Sequence, residues 1–299
     1  MLENIVSGLI LVLTQSQDGS LIHVTSQTPT EVVGKNFSSK FQSFSQVIDD
    51  AKAAEKIKTY LLSSMTHAFM HLDIKSLGFG LTYSDHKSEV GLKDVVVFEK
   101  KSKPTALHQD IVFKNFLDYE TEVAILMHRS EPDLFGYLIH NDLTDRMVQV
   151  VSYDENNAAP GFSKAKSFVG SNANSVLLAI GYEELWHQLQ IDFFVNGQKR
   201  QTVNTTKNIL TPKEIHKRIF FDNPAETADW ILVGTGTPAG TVFKAPTTLQ
   251  MLKEFVASGF NIDRTKENWA KSFNYLAPND HLHWSSEILG SADSRIVVR

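Results

Sequence analysis

The chain begins with a pattern typical of a β-hairpin. Apolar residues dominate Leu9 to Thr14 and return in Leu21 to Thr25. Asp18 and Gly19 lie between these runs, and an Asp-Gly pair favours a tight turn because glycine accepts a positive φ without steric cost. The pattern therefore predicts two strands joined near residue 18.

A helix is predicted after the hairpin. Ser43 is followed three positions later by Gln46, which is the spacing of a capping box. Apolar residues then recur every three or four positions, as they do on one face of a helix. They are Val47, Ala51, Ala54, Ile57, Leu61 and Met65. We expect one long helix that begins after Ser43 and ends in the sixties.

From Leu77 onward the pattern changes to short apolar runs separated by Gly, Pro, Asn and Asp, which is typical of strands joined by turns. We place a boundary near residue 75, between a small α+β module (residues 1–75) and a β-rich domain (residues 76–299). The predicted fold class is α+β. The strands predicted in the second part are Val95 to Phe98, Val123 to Met127, Gly136 to Ile139, Val176 to Ile180, Leu189 to Val195 and Trp230 to Val233.

Composition narrows the classes of function. The 299 residues include no cysteine, which excludes disulfides, thiolate nucleophiles and cysteine-ligated metal sites. A net charge of −5 provides no basic field for a phosphate backbone, so we expect no nucleic-acid partner. The apolar run Ile5 to Leu13 is far shorter than the roughly 20 residues of a membrane span, and no Lys or Arg precedes it as in a signal peptide. We expect a cytoplasmic protein without a membrane partner.

Glu120, Glu122 and Asp142 are the sharpest candidates for chemistry. Residues two apart on a strand point to the same face, so Glu120 and Glu122 would present paired carboxylates. Asp142 follows a second predicted strand and could add a third oxygen. Close carboxylates repel unless a cation neutralises them, and oxygen ligands favour Mg²⁺, with Mn²⁺ or Ca²⁺ as alternatives. Taken alone, the spacing also fits the solvated face of a half-buried strand.

His86 and Glu89 are a second candidate pair. Because they are three positions apart, they become neighbours on one turn of helix. The carboxylate would raise the basicity of the imidazole, which could then activate a water molecule as a general base. The alternative is an exposed ion pair that contributes little to stability.

Three further motifs give weaker signals. The run Gly234 to Gly240 has neither Walker nor dinucleotide-loop spacing, but its amides and a threonine hydroxyl could bind a carboxylate; the alternative is a plain turn. Lys164 and Lys166 are, in isolation, typical of surface cations. His281 and His283 share a strand face but have no carboxylate partner close in sequence, which favours a structural or exposed role.

Taken in order, these residues resemble the motifs of the fumarylacetoacetate hydrolase superfamily. Leu81 to Glu89 resembles its Asn-Tyr-x-x-His-x-x-Glu stretch, with Thr82 in place of Asn. Asp118 to Ala124 is similar to its Asp-Tyr-Glu-x-Glu-Leu-Ala strand. The remaining similar segments, within a likeness that covers about residues 75 to 245, are Gly136-Tyr137, Asn141 to Gln149, Lys166 to Phe168, Asn196 to Thr205 and Thr235 to Gly240.

The resemblance implies a fold, an assembly and a metal site. Members of the superfamily have a mixed β-roll in the larger domain and are commonly homodimers that act on small 2-oxo acids. By motif position, the resemblance implies that Glu120, Glu122 and Asp142 hold a divalent cation, Mg²⁺ in the first place.

The resemblance also implies two further sets of functional residues. His86 and Glu89 would activate water, and Lys166 would stabilise negative charge beside the metal. The residues implied in gripping the carboxylate or oxo groups of the substrate are Arg146, Gln149 and Thr237.

The reaction implied is hydrolysis of a C–C bond in an acylpyruvate, a 2,4-dioxo acid of the fumarylacetoacetate type. The cation would polarise the oxo group and stabilise an enolate, while activated water adds to the distal carbonyl. A 2-oxo acid hydratase, decarboxylase or isomerase on the same metal platform is the alternative. Two hypotheses belong to other classes of function, a non-catalytic metal-binding protein and a nucleotide-dependent dehydrogenase. The glycine spacing argues against the dehydrogenase.

Overall fold

The computed structural model describes residues 6–90, 94–154, 156–244 and 246–299. The strands in the first half of the chain are β1 (Leu9–Gln15), β2 (Leu21–Gln27), β3 (Glu31–Phe37), β4 (Ile57–Leu61), β5 (Ile74–Gly80), β6 (Val96–Lys100), β7 (Thr105–Ala106), β8 (Ile111–Val112), β9 (Leu117–Asp118), β10 (Thr121–His128) and β11 (Phe135–Asp142). Those in the second half are β12 (Thr144–Asp145), β13 (Asn172–Asn174), β14 (Leu178–Gly181), β15 (Gln190–Val195), β16 (Gln198–Asn204), β17 (Trp230–Gly234), β18 (His281–Ser286) and β19 (Gly290–Val297). The α-helices are α1 (Phe44–Lys52), α2 (Ser84–Val90), α3 (Arg146–Ser152), α4 (Ala159–Ala165), α5 (Glu183–Trp186), α6 (Pro212–His216), α7 (Thr248–Ala257) and α8 (Ile262–Lys271).

Two sheets carry most of the strands. The larger has 12 strands, ten of them in the order β4-β3-β2-β1-β14-β11-β10-β17-β5-β6, with β13 and β7 joined at β11. It is mixed, because β17 runs parallel to β5 and β13 parallel to β7. The smaller has five strands in the order β16-β15-β18-β19-β8. The predicted α+β class is confirmed.

The central strand β10 separates two apolar layers. Val123, Ile125 and Met127 pack in the core that includes residues of the smaller sheet, such as Phe193. Ala124 and Leu126 pack in the core that includes residues of α1. All of these side chains are fully buried, so the continuous apolar run that predicts this strand reflects burial on both faces.

The predicted hairpin and strands are confirmed. β1 and β2 pair antiparallel, and Gly19 in their turn has a φ of +87°. Each of the six predicted strands after Leu77 has a counterpart, β6, β10, β11, β14, β15 and β17. The N-terminal strands join the larger sheet through the pairing of β1 with β14. The boundary near residue 75 stays a prediction.

The predicted length of the first helix is wrong. Its start is as expected, since Ser43 Oγ accepts a hydrogen bond from the Gln46 amide at 3.1 Å, although Gln46 Oε1 accepts from the amide of Gln42 at 3.2 Å. The helix ends at Lys52, and β4 follows. Ile57 and Leu61 pair with β3 and are 62% and 60% exposed, so they do not extend the buried helical face. These residues continue the helical spacing of apolar positions only by coincidence. Backbone pairing at the sheet edge determines their structure instead.

Helices α7 and α8 were not expected from the sequence. Each begins with a side-chain cap, from Thr247 and from Asn261. Leu252, Val256 and other large apolar side chains of these helices are exposed. The apolar residues are therefore not confined to one buried face, and the sequence pattern of an amphipathic helix is weak. In the described part of the chain, every helix is too short or too polar to cross a membrane.

The cap at Ser43 provides a test of the start of α1. Ser43→Ala removes the acceptor of the Gln46 amide, and we expect a loss of about 1 kcal/mol in the free energy of unfolding, measured by urea denaturation. Ser38→Ala is the matched control, because the exposed Ser38 hydroxyl has no hydrogen bond within the described residues. Equal stability of the two variants would contradict the capping role.

Candidate active site

The pairing of β10 with β11 brings three carboxylates together. Glu122 lies opposite His140 in the register, and the amide of Asp142 donates to the carbonyl of Glu120 at 2.9 Å. Ligand oxygens of Glu120, Glu122 and Asp142 all lie within 4.8 Å of one another, and all three residues are buried. Three converging carboxylate oxygens are the donor set that hard divalent cations prefer.

Three buried cations surround this triad. Lys166 binds a carboxylate oxygen of Glu120 and lies 2.7 Å from Asp142 Oδ2. Lys100 binds the other oxygen of Asp142 and donates to the carbonyl of Ser171 at 3.0 Å. Arg146 Nη1 lies 2.7 Å from Glu120 Oε1.

A fourth carboxylate holds the arginine in place. Asp118 Oδ2 accepts from Arg146 Nε at 2.7 Å, and Asp118 also accepts from the backbone amides of Val242 and Phe243 at 3.0 and 3.1 Å. Asp118 therefore fixes both the guanidinium and the segment that follows β17. Burial alone would lower the pKa of Arg146, but Asp118 and Glu120 raise it above its usual range.

When all of its carboxylates are ionised, the charges of the cluster do not cancel within the described part of the protein. Four carboxylates face three cations, and among the described residues no lysine or arginine forms an ion pair with Glu122. Burial and the neighbouring Asp142 raise the pKa of Glu122 well above its usual value. By contrast, the pKa of Asp142 is lowered: burial would raise it, but Lys100 and Lys166 prevail. A divalent cation would supply the positive charge that Glu122 lacks, so the residues fit such an ion.

Two glycines make room for Glu122. A Cβ on Gly234 would lie 2.6 Å from Glu122 Oε2, so a larger residue would displace the carboxylate. The amide of Gly236 donates to the same oxygen at 3.0 Å. Gly236 has a φ of +88°, which favours glycine, and a Cβ there would meet Phe79 O at 2.7 Å. The run Gly234 to Gly240 is therefore a turn that positions a carboxylate of this chain.

His86 lies on α2 and is buried. Burial lowers the pKa of His86 to about 4, so its imidazole is neutral at neutral pH. This direction is opposite to the raised basicity expected from the sequence, because the loss of hydration outweighs the attraction of the neighbouring carboxylates. The turn before α2 contains Leu81 with a φ of +66°, a strained conformation for a residue with a Cβ, as found near functional sites. The side chain of Glu89 lies outside the described residues, so its predicted partnership with His86 stays a prediction.

A cavity of about 190 Å³ opens beside this cluster. Its polar lining comes mainly from predicted site residues, His86, Glu120, Arg146, Gln149 and Thr237. Within the described residues, Nη2 of Arg146 is buried and has no hydrogen-bond partner. A buried guanidinium nitrogen without a partner is costly, and an anionic ligand in the cavity would satisfy it.

The other two predicted substrate residues already have protein partners. Gln149 Oε1 accepts from Arg146 Nη1 at 2.7 Å, which leaves Gln149 Nε2 as a donor. Thr237 Oγ1 donates to the carbonyl of Thr121 at 2.9 Å and accepts from Gln201 Nε2 at 2.8 Å. The hydroxyl proton of Thr237 is therefore committed to the protein, although the residue lines the cavity.

Three residues of the cluster were missed as functional candidates. Lys100 is buried and forms an ion pair with Asp142, and Asp118 orients Arg146. His140 Nδ1 lies 3.0 Å from Asn174 Oδ1, and its Nε2 lies 3.4 Å from Lys100 Nζ. One usable signal existed, since Lys100 is two positions from buried Phe98 on a strand and so shares its face.

Two expectations about other residues need correction. Lys164 is exposed as expected of a surface cation, but Lys166 is buried among carboxylates. His281 and His283 do have a carboxylate partner, because pairing of β18 with β19 places Asp293 Oδ1 2.9 Å from a ring nitrogen of each. The local sequence did not reveal these carboxylate partners of Lys166, His281 and His283, because the fold brings them together from other parts of the chain.

The chain matches a known family of enzymes. The family model of the fumarylacetoacetate (FAA) hydrolase C-terminal domain matches residues 75–297. The chain therefore belongs to the fumarylacetoacetate hydrolase family, whose members include hydrolases, isomerases and a tautomerase. This confirms the resemblance drawn from its motifs.

Individual relatives are distant. The oxaloacetate tautomerase YisK of Bacillus subtilis is 26% identical over 211 residues, which cover 62% of this chain and 64% of that protein. The chain thus matches less than two thirds of the length of this relative. Fumarylpyruvate hydrolase from Pseudomonas aeruginosa, solved with Mn²⁺ and pyruvate, has a TM-score of 0.54 at 17% identity, over 75% of this chain and 90% of that one. For 2-hydroxyhepta-2,4-diene-1,7-dioate isomerase from Mycobacterium marinum the TM-score is 0.59 at 16% identity, over 98% and 99%.

The turn at Gly236 provides a test of the site geometry. Gly236→Ala combines left-handed strain with overlap against the Phe79 carbonyl, whereas Gly19→Ala has the strain but no atom within 4 Å of the new Cβ. We expect a loss of about 1 kcal/mol in unfolding free energy for Gly19→Ala and at least about twice that for Gly236→Ala, by urea denaturation. Equal losses would mean that the Gly236 turn can relax.

Proposed function

We propose that this protein is a divalent-metal-dependent hydrolase that cleaves a C–C bond in acylpyruvates. The observation that carries the proposal is the pairing of two unsatisfied groups at one cavity. With all four carboxylates ionised, the cluster of Asp118 and the triad exceeds its three cations by one charge, and the adjacent Arg146 Nη2 lacks an anionic acceptor among the described residues. A metal ion and a substrate carboxylate would satisfy both. The homodimer and the cytoplasmic location stay predictions.

Glu120, Glu122 and Asp142 would hold the metal. When bound, a divalent ion supplies Lewis-acid polarisation of the oxo group of the substrate. Carboxylate oxygens favour Mg²⁺, and the Mn²⁺ in the Pseudomonas aeruginosa hydrolase makes Mn²⁺ a suitable probe. Lys166 would keep Glu120 and Asp142 in their converging positions and offset their charge.

Arg146 and Gln149 would bind the carboxylate of the 2-oxo acid. The guanidinium is held on Nε and Nη1 by Asp118, Glu120 and Gln149, which leaves Nη2 for a ligand. Because these contacts fix the plane of the guanidinium, binding would require little reordering of the side chain. Gln149 Nε2 would add a second donor.

His86 would act as the general base. Its neutral imidazole lines the same cavity as Arg146, so it could take a proton from a water molecule that adds to the distal carbonyl. The carbon–carbon bond then breaks, the acyl group leaves as a carboxylic acid, and pyruvate departs as its enolate and takes up a proton. Glu89 would orient His86, as its position one helical turn later implies.

A tautomerase or isomerase is the second candidate. It is favoured by the relative named oxaloacetate tautomerase, and it would need His86 to take a proton from carbon rather than from water. Two assays separate the candidates, pyruvate release from acylpyruvates and the ultraviolet change as enol and keto forms of oxaloacetate interconvert. Pyruvate release with slow tautomerisation supports the hydrolase, and the reverse result supports the second candidate.

Loss of the metal should abolish the reaction. Glu122→Gln removes the charge that no protein cation neutralises, so we expect Mn²⁺ affinity to fall at least about tenfold by titration calorimetry and pyruvate release to fall with it. Chelation of the wild-type protein should have the same effect. Glu99→Gln, at an exposed site on β6, is the matched control and should change neither value. Full activity in chelator would contradict the proposal.

Removal of the proposed base should separate chemistry from metal binding. For His86→Ala we expect kcat to fall on the order of 10² while Mn²⁺ affinity stays within about threefold of the wild-type value. His108→Ala is the control, because His108 is half-buried and lines a different cavity. Unchanged kcat in His86→Ala would exclude His86 as the base.

A further inference from the structure

We propose that the α7–α8 hairpin, comprising the two helices and the turn between them, selects substrates whose acyl group ends in an apolar ring or chain. The inference rests on the proposed function and names the part of the substrate that the metal end of the site does not contact. It follows from the lining of the cavity that holds His86 and Arg146.

The hairpin and its leading segment form an apolar wall. Met251 from α7 and Trp269 from α8 line the cavity together with Phe243 and Pro246, which precede the hairpin. Phe162 of α4 and Val150 of α3 line it as well. The cavity lining therefore combines a charged and polar part with an apolar wall.

Several contacts make this wall rigid. Trp269 Nε1 donates to the carbonyl of Lys244 at 3.0 Å, and its ring packs edge-on against Phe273 at 5.6 Å. Phe273 in turn contacts the Phe243 ring at 5.4 Å. The two helices are joined by Asn268 Nδ2, which donates to Glu254 Oε1 at 2.8 Å. A rigid aromatic wall discriminates by shape better than a mobile one.

The apolar wall adjoins the proposed carboxylate site. The guanidinium of Arg146 lies 5.8 Å from the centre of the Phe243 ring, so a 2-oxo acid held by Arg146 would extend from the polar end directly along aromatic surface. A carboxylate at the far end of the acyl group would lose hydration there without a fixed partner. An aryl or branched alkyl group would instead replace water at apolar side chains.

Lys266 is the one charged side chain that the hairpin contributes to the described cavity lining. It is only half-buried and has no ion pair among the described residues. Its methylene stem can cover apolar surface while the ammonium stays hydrated. We therefore assign Lys266 to the wall rather than to recognition of a second substrate carboxylate.

The test compares three acylpyruvates with the same pyruvate part, ending in methyl, in phenyl and in a carboxylate-bearing propenoyl group. We expect kcat/KM to be highest for the phenyl compound, by about tenfold or more over each of the others. Trp269→Ala and Met251→Ala should each reduce that preference at least about threefold with unchanged Mn²⁺ affinity. Leu252→Ala, which changes an exposed neighbour on α7, should leave it intact.

The outcomes distinguish the two proposals. Pyruvate release that is fastest for the carboxylate-bearing compound, or a preference unaffected by both wall variants, contradicts the role of the hairpin and leaves the hydrolase standing. No release from any compound contradicts the hydrolase, and the hairpin is then judged by calorimetric affinity for the same three compounds with Mn²⁺. Trp269→Phe serves if Trp269→Ala does not fold. Loss of the phenyl preference in Lys266→Met would also contradict the assignment.

Discussion

The structure depends on a balance of charge buried at the junction of β10 and β11. Ionised side chains in a protein interior each cost several kcal/mol unless partners offset the lost hydration. Here the sheet register supplies those partners, because each carboxylate meets a lysine, an arginine or a backbone amide at hydrogen-bond distance. The residues so arranged are Asp118, Glu120, Glu122, Asp142, Lys100, Lys166 and Arg146.

The three carboxylates of the triad are not equivalent. Asp142 has two lysines and Glu120 has a lysine and an arginine, whereas the partner of Glu122 among the described residues is the Gly236 amide. The opposite pKa directions of Glu122 and Asp142 reflect this difference. Two members of the triad, Glu120 and Asp142, are thus neutralised by cations of the protein, whereas Glu122 has none among the described residues and would be the member that a bound cation neutralises. That asymmetry is what distinguishes a cation site from a self-contained salt-bridge network.

The sequence predicted what depends on short-range periodicity. Short apolar runs bounded by turn residues located β10 and β11, and the two-residue spacing of Glu120 and Glu122 predicted their common face. The prediction was wrong where strand pairing between distant residues determines the structure. Helix α1 is shorter than predicted because the residues that continue its apolar period form an edge strand. Lys100 was missed for a related reason. A lysine on a strand is usually solvated, and the partner that offsets part of the cost of its burial, Asp142, is forty-two residues away in the sequence.

The same cluster also bears on the choice between hydrolysis and tautomerisation. Both reactions would hold a 2-oxo acid at Arg146 and use the neutral imidazole of His86, so neither residue decides between them. The two reactions differ in whether a water molecule must be bound beside the base. Among the described lining residues, Trp269 and Met251 present apolar surface, whereas His86 and Gln149 present polar groups. Because a bound water needs two or more hydrogen-bond partners, a water beside His86 would be held better than one at the apolar wall, and this supports the hydrolase as the first proposal.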